Sequence, residues 1–276
     1  MFKIISDAGC DFTVAQATEF GVETVPFYII NENGVQKTSQ PNPQDYMDKF
    51  TPYLKAGMDI LAITISSKLS GSFNSASLAA DMLKEDFPDR SILLVDSLSA
   101  SIGQGLITRE MVKMRDAGFS IQETAARANK IVQSTRVYVT VENLESLKRG
   151  GRIGPTTAFV GGILGLRPIL HVVDGQVVQL DTVRGKKNAL RMIGEAMVHT
   201  LKDEVQNVHI CIGHVESQPD AEAFIAKLES DLQITLDTPL TEVGTAISTH
   251  TGPGAMAFAY CKKYTAFDAV ALKEAA

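Results

Sequence analysis

Two serine-rich loops and one histidine are the places where this chain could do chemistry. Ser66-Ser67-Lys68-Leu69-Ser70-Gly71-Ser72 follows the apolar stretch 60–65, and Ser97-Leu98-Ser99-Ala100-Ser101-Ile102-Gly103 follows the stretch 92–96. Far downstream, His250 lies in Ser248-Thr249-His250-Thr251-Gly252-Pro253-Gly254. Each serine loop stands between a strand pattern and a helix pattern. If the two strands are parallel neighbours, both loops fall on the carboxyl edge of one sheet, where open α/β folds bind ligands. Helix-start amides there lack backbone partners and carry partial positive charge, so together with the hydroxyls they suit a carboxylate or a phosphate. A helix needs one capping hydroxyl, yet four serines crowd the seven positions from Ser66 to Ser72. The surplus is free to bind. His250, flanked by small residues and by glycines that permit close backbone approach, is suited to donate to a carboxylate.

Other candidates carry two readings. Thr38-Ser39-Gln40-Pro41 precedes a helix pattern, so its hydroxyls are either N-caps or ligand contacts. Asp96-Ser97 is either an Asx turn or part of the ligand edge. Arg149-Gly150-Gly151-Arg152 is a solvated linker or a cationic fork for phosphate or an acidic surface. Arg184-Gly185-Lys186-Lys187 opens a helix where basic charge is unfavourable, which points to a partner contact. The chain has no Walker loop, no complete GxGxxG after a strand, no HExxH and no Cys/His cluster at zinc spacing, so neither a metal nor a cofactor is expected. GxSxG is absent too. Ser, His and Asp are nonetheless present, and a Ser/His hydrolase or phosphotransferase with His250 as general base stands as the alternative function.

These residues must be positioned by regular elements. Over the first half, strand patterns at 2–5, 60–65, 92–95 and 137–141 alternate with helix patterns, including one opened by Pro43 and one by the capping box Ser120-Ile121-Gln122-Glu123. That is the signature of a largely parallel sheet. In the second half Asp174-Gly175 joins two strand patterns as a tight hairpin, so antiparallel pairing enters. A helix is expected over 186–201, a strand over 208–212, a helix over 220–228 and a strand over 239–243. His250 then falls in a loop before a helix starting near Gly254. The fold class is therefore α/β in two domains: 1–153 with a largely parallel sheet, and 154–276 with a mixed or antiparallel sheet, divided after the Gly-rich basic run.

The bulk properties exclude several functions. A formal net charge of −6 argues against nucleic acid as a partner. Three cysteines without CxxC spacing fit a reducing compartment. The start of the chain passes directly into a strand pattern without a signal-peptide pattern, so a cytoplasmic protein is expected. The longest apolar stretch, 158–166, is half of the roughly 20 residues a membrane span needs, so no stable membrane insertion is expected.

Ser6-Asp7, Thr38-Ser39-Gln40-Pro41, Ser66-Ser67-x-Leu69-Ser70-Gly71-Ser72, Asp96-Ser97, Leu147-x-x-Gly150-Gly151-Arg152-Ile153, Arg167-Pro168-Ile169-Leu170 and His250-Thr251-Gly252-Pro253-Gly254, in that order, resemble the DegV family of bacterial fatty acid-binding proteins. The resemblance implies two α/β domains with one long-chain fatty acid buried between them. It also implies a carrier without catalysis of its own, which presents the carboxylate to a separate ATP-binding fatty acid kinase subunit. By motif, Thr38, Ser66 or Ser67, and His250 would hold the carboxylate, with Ser39, Ser97 and Thr251 of the same motifs beside them. Arg149 and Arg152 match the family's basic positions, one in the head-group network and the other in partner docking. A glycine-flanked loop makes Arg152 the expected docking residue, exposed and flexible. Phe159, Ile163, Leu164 and Leu166 are the expected lining of the tail tunnel.

Overall fold

The structure, a computed structural model, describes residues 1–32, 34–153, 165–237 and 240–267. In chain order its first half contains β1 (Phe2–Asp7), α1 (Val14–Glu19), β2 (Val22–Val25), β3 (Tyr28–Glu32), β4 (Val35–Ser39), α2 (Pro43–Lys55), β5 (Asp59–Thr64), α3 (Ser72–Leu83), β6 (Ile92–Asp96), α4 (Ile102–Asp116), α5 (Ile121–Ser134), β7 (Arg136–Thr140) and α6 (Glu145–Gly150). There follow β8 (Leu166–Val173), β9 (Gln176–Arg184), α7 (Lys186–Leu201), β10 (Val208–His214), α8 (Gln218–Leu232), β11 (Thr241–Glu242), α9 (Thr245–Thr251) and β12 (Met256–Lys262).

Local chemistry starts several of these helices. Asn42 accepts from the Asp45 amide while the Asp45 carboxylate accepts from the Asn42 amide, and Pro43 supplies a preset φ, so α2 begins there. Ser120 and Glu123 close the expected reciprocal box on α5. The tight turn between β8 and β9 takes positive φ at both Asp174 and Gly175, the twist that a two-residue hairpin requires.

Four parallel strands form the first sheet in the order β2-β1-β5-β6, with Ile4 opposite Leu61 and Leu61 opposite Leu93. The second sheet is mixed, in the order β11-β10-β12-β7-β8-β9. The α/β class with a parallel first sheet and a mixed second sheet is therefore present as read. Because successive side chains of a strand face opposite ways, each sheet has two apolar faces to cover. Ile5, Ile60 and Ala62 pack beneath α2 and α3 against Tyr46, Phe50 and Leu83. On the other face Ile4, Leu61 and Ile63 meet Ile107, Met111 and Ile131 of α4 and α5. The far side of that helical layer rests on Val137, Cys211, Ala257 and Ala259 of the second sheet. Ile210, Ile212, Met256 and Phe258 are covered by α7 and α8. One helical layer thus separates the two sheets and belongs to the core of both.

Three stretches differ from the sequence reading. Instead of extending the parallel run, β7 pairs antiparallel with β12 and β8 at the centre of the second sheet. Its alternation of Val137 and Val139 against Tyr138 suits a sheet covered on both faces, a pattern that does not tell one sheet from another. The segment after Gly254 is not a helix but β12, and the helix lies before it, as α9. Gly252 and Gly254 take φ of +77° and +75° around Pro253, so helical geometry ends there. The Ala-rich run 255–259 reads as helix by propensity, yet alternate residues face different helical layers. The strand expected over 239–243 is confined to Thr241–Glu242, with Pro239 outside the described residues.

Candidate functional site

Above the first turn of α4 the helical layer ends, and the inner face of the second sheet loses its cover. A cavity opens there, between the carboxyl edge of the first sheet and the second sheet. Val137 and Val139 of β7, Val172 of β8, Val177 of β9 and Ala257 of β12 form its floor, and Ile65, Leu69 and Ala100 its near wall. Helix α9 supplies the opposite wall with Ala246, Ile247, His250 and Thr251. Small side chains at 100, 246, 255 and 257 leave the space that larger ones would fill. The apolar lining suits an organic ligand, with a few polar groups to orient it.

The polar groups gather at one end. Thr38 Oγ1 lies 2.7 Å from His250 Nε2, joining the β3–β4 hairpin to the last turn of α9. Burial, with Arg152 and Arg149 adding to it, pushes the His250 pKa down to about 4, so the imidazole is neutral at physiological pH. The ring fits because position 150 has no side chain: a Cβ there would stand 2.3 Å from His250 Nδ1. Arg152 is half-buried in the wall, its Nε donating to the Leu69 carbonyl at 3.2 Å and its Nη1 to the Gly150 carbonyl. It is not the free, exposed arginine that its glycine-flanked sequence suggests, because those two carbonyls hold it. A polar recess, lined among others by Gln36, Lys37 and Arg149, shares Thr38, Arg152 and His250 with the cavity. Arg149 is exposed in that recess, 3.4 Å from Ser146 Oγ.

Thr38, His250, Thr251 and Arg152 are thus brought together, with Arg149 beside them. The remaining serines are placed otherwise. Ser66 is fully buried and donates to the Gly175 carbonyl at 2.7 Å, tying the first serine loop to the β8–β9 turn. Ser67 is exposed, and its amide donates to Asp96 Oδ1. Ser97 is buried and donates to the Ser99 carbonyl while accepting from the Ser99 amide. Ser39 pairs across the hairpin with Tyr28, and Leu166 pairs with Arg184; neither lines the cavity. Phe159, Ile163 and Leu164 lie outside the described residues. Three polar lining residues went unselected: Gln40, Ser70 and Ser101. Gln40 was discoverable, because period-two alternation from Thr38 points it the same way. For Ser70 and Ser101 nothing in the sequence separates them from their neighbouring serines.

Two buried carboxylates support the edge. Asp7 accepts from the amides of Ile65 (3.0 Å) and Gly9 (3.1 Å) and from Gln104 Nε2 (2.8 Å), which fixes where the first serine loop begins. Burial raises its pKa to about 6, the hydrogen bonds opposing. Asp11, also raised by burial, to about 7, accepts from Ser101 Oγ and from the Gly244 amide.

Comparison with known proteins follows the same geometry. The family model described as "Uncharacterised protein, DegV family" matches residues 29–263. The DegV domain-containing protein CPE0026 of Clostridium perfringens is 33% identical over 229 residues, covering 83% of this chain and 78% of that protein. A stearic acid-binding protein from Eubacterium ventriosum superposes with a TM-score of 0.89 at 26% identity, over 96% of this chain and all of the other. A DegV family protein from Thermus thermophilus, described by its fatty acid binding, superposes with a TM-score of 0.82 at 27% identity, over 95% and 99% of the two chains.

Proposed function

This chain belongs to the DegV family, and on that premise we propose that it binds one long-chain fatty acid in the cavity between its sheets and presents the carboxylate to a separate ATP-binding kinase subunit. The observation that carries the reading is an apolar cavity whose polar end is a neutral His250 bonded to Thr38. An acyl chain of about 16 carbons gains at most roughly 0.8 kcal/mol for each buried CH₂, on the order of 10 kcal/mol before ordering costs. The carboxylate then needs only hydrogen bonds and one balancing charge. Thr38, His250 and half-buried Arg152 supply them. The recess with Lys37 and Arg149 opens onto the same groups from outside, where a phosphate donor would have to approach. Exposed Arg149 suits the docking of an acidic partner surface, and Arg152 suits the head group.

The hydrolase alternative is disfavoured by the same geometry. A general base works best with a pKa near the operating pH, and His250 is held near 4. Among the described residues no carboxylate hydrogen-bonds to it to orient the ring. Mass spectrometry of an organic extract of the purified protein tests the proposal. About one equivalent of long-chain fatty acid is expected. An empty protein that turns over small esters would overturn it.

A further inference from the structure

We propose that Asp11 is the positioning residue that holds helix α9 over the cavity, and that α9 is the gate through which the ligand's chain enters and leaves. The proposal rests on the fatty-acid reading only for the identity of that ligand. Helix α9 supplies four of the cavity's lining residues, including His250, yet none of its own seven residues is fully buried. The floor, by contrast, belongs to strands hydrogen-bonded into the second sheet. Glycines flank the helix at 244, 252 and 254, the last two at positive φ, so its ends carry the backbone freedom of a hinge.

What fastens this wall comes from the first half of the chain. Gly244, at the start of α9, has no side chain, and Asp11 reaches its backbone from outside: Oδ1 accepts from the Gly244 amide at 3.1 Å. A Cβ at 244 would stand 3.0 Å from the same oxygen, so a glycine is what lets the carboxylate in. Asp11 Oδ2 is held by Ser101 Oγ. Ser101 stands at the N-cap position of α4 but makes no cap of its own, since its hydroxyl is given to Asp11. Both residues take positive φ, +57° and +56°, a conformation that persists in non-glycine residues only where surrounding contacts impose it. At its other end α9 is held by the Thr38–His250 bond. Beyond the packing of Ile247 on α6 and the backbone bonds of flanking Val243 and Gly254 to the His214 and Val215 carbonyls, the wall is thus held by side chains at two points, one at the head group and one at Asp11, away from it.

Stopped-flow measurement with the fluorescent fatty acid cis-parinaric acid tests this. Asp11→Ala should raise the association and dissociation rates together, each by about tenfold, as expected for one lost hydrogen bond to a charged group, with the affinity little changed. Asp11→Asn, which keeps an oxygen for the Gly244 amide, should restore most of the wild-type rates. Unchanged rates in Asp11→Ala, or faster dissociation with unchanged association, would overturn the gate. In ligand-free protein, amide hydrogen exchange over 245–252 should be faster in Asp11→Ala than in wild type, while α4 exchanges alike in both. Equal exchange over 245–252 would also overturn it. Should Asp11→Ala fail to fold, Ser101→Ala must show a smaller acceleration of the same kind. If wild type binds no parinaric acid, the fatty-acid reading fails, and the exchange comparison still decides the fate of the gate.

Discussion

At the scale of single residues, the site is governed by groups whose charge is suppressed by burial. His250 is kept neutral, and Asp7 holds its proton up to about pH 6. For Asp7 the folded pKa lies above the unfolded one, so its contribution to stability is greatest below pH 4 and is lost as the pH rises through about 6. A rise of about two units corresponds to something on the order of 3 kcal/mol. His250 acts in the opposite sense over nearly the same window, because its folded pKa lies below its unfolded one. The effect of Asp7 is therefore to be read as a difference. Urea unfolding of wild type and Asp7→Asn from pH 4 to 8 should show wild type losing stability relative to the variant up to about pH 6, and a constant difference above that. Parallel curves throughout would show that Asp7 is ionised in the folded protein across the range.

Between elements, the contact that decides the geometry of the proposed head-group end is that of α6 with α9. The end of α6 approaches the last turn of α9 so closely that Gly150 abuts the His250 ring. Gly150→Ala would place a methyl group inside that contact, and an imidazole hemmed in by Thr38 and Arg152 cannot withdraw without losing the bond to Thr38. Overpacking of this kind costs about 1–3 kcal/mol. Fatty acid affinity should fall about tenfold or more, the loss expected for one hydrogen bond to a charged group. Titration of the delipidated variant measures it, and wild-type affinity would show that His250 Nε2 is not needed at the carboxylate.

For the whole molecule, the helical layer of α4 and α5 is core to both sheets, and the cavity lies where that layer stops. A ligand there touches the loops at the first sheet's edge and the strands of the second sheet at once, and should stabilise both together. At a free concentration one hundred times Kd, binding adds about 2.7 kcal/mol. In a protein of this size that raises Tm by roughly 5–10 °C. Differential scanning calorimetry of delipidated and loaded protein should show one transition moving as a unit. Two transitions, only one of them responding, would place the ligand within a single sheet's territory.

The sequence by itself determined what depends on near neighbours. The capping box at Ser120, proline at the start of α2 and the Asp174-Gly175 hairpin are all set within a few residues, and each is found where the sequence places it. Residue types in order were enough to indicate the family. Tertiary structure alone decided how each hydroxyl is spent, because a serine satisfies a backbone carbonyl as readily as a ligand. Ser66 is taken by Gly175 across 109 positions, and Thr38 meets His250 across 212. The same holds for β7, whose alternation fits either sheet, and for 255–259, where helical propensity yields to strand pairing on both sides. Arg152 reads as free because glycines flank it, and it is held because the fold brings the Leu69 carbonyl, 83 positions away, to a guanidinium that also donates to the neighbouring Gly150 carbonyl. Short-range periodicity specifies the elements; which side chains face the cavity is settled only when the two sheets close around it.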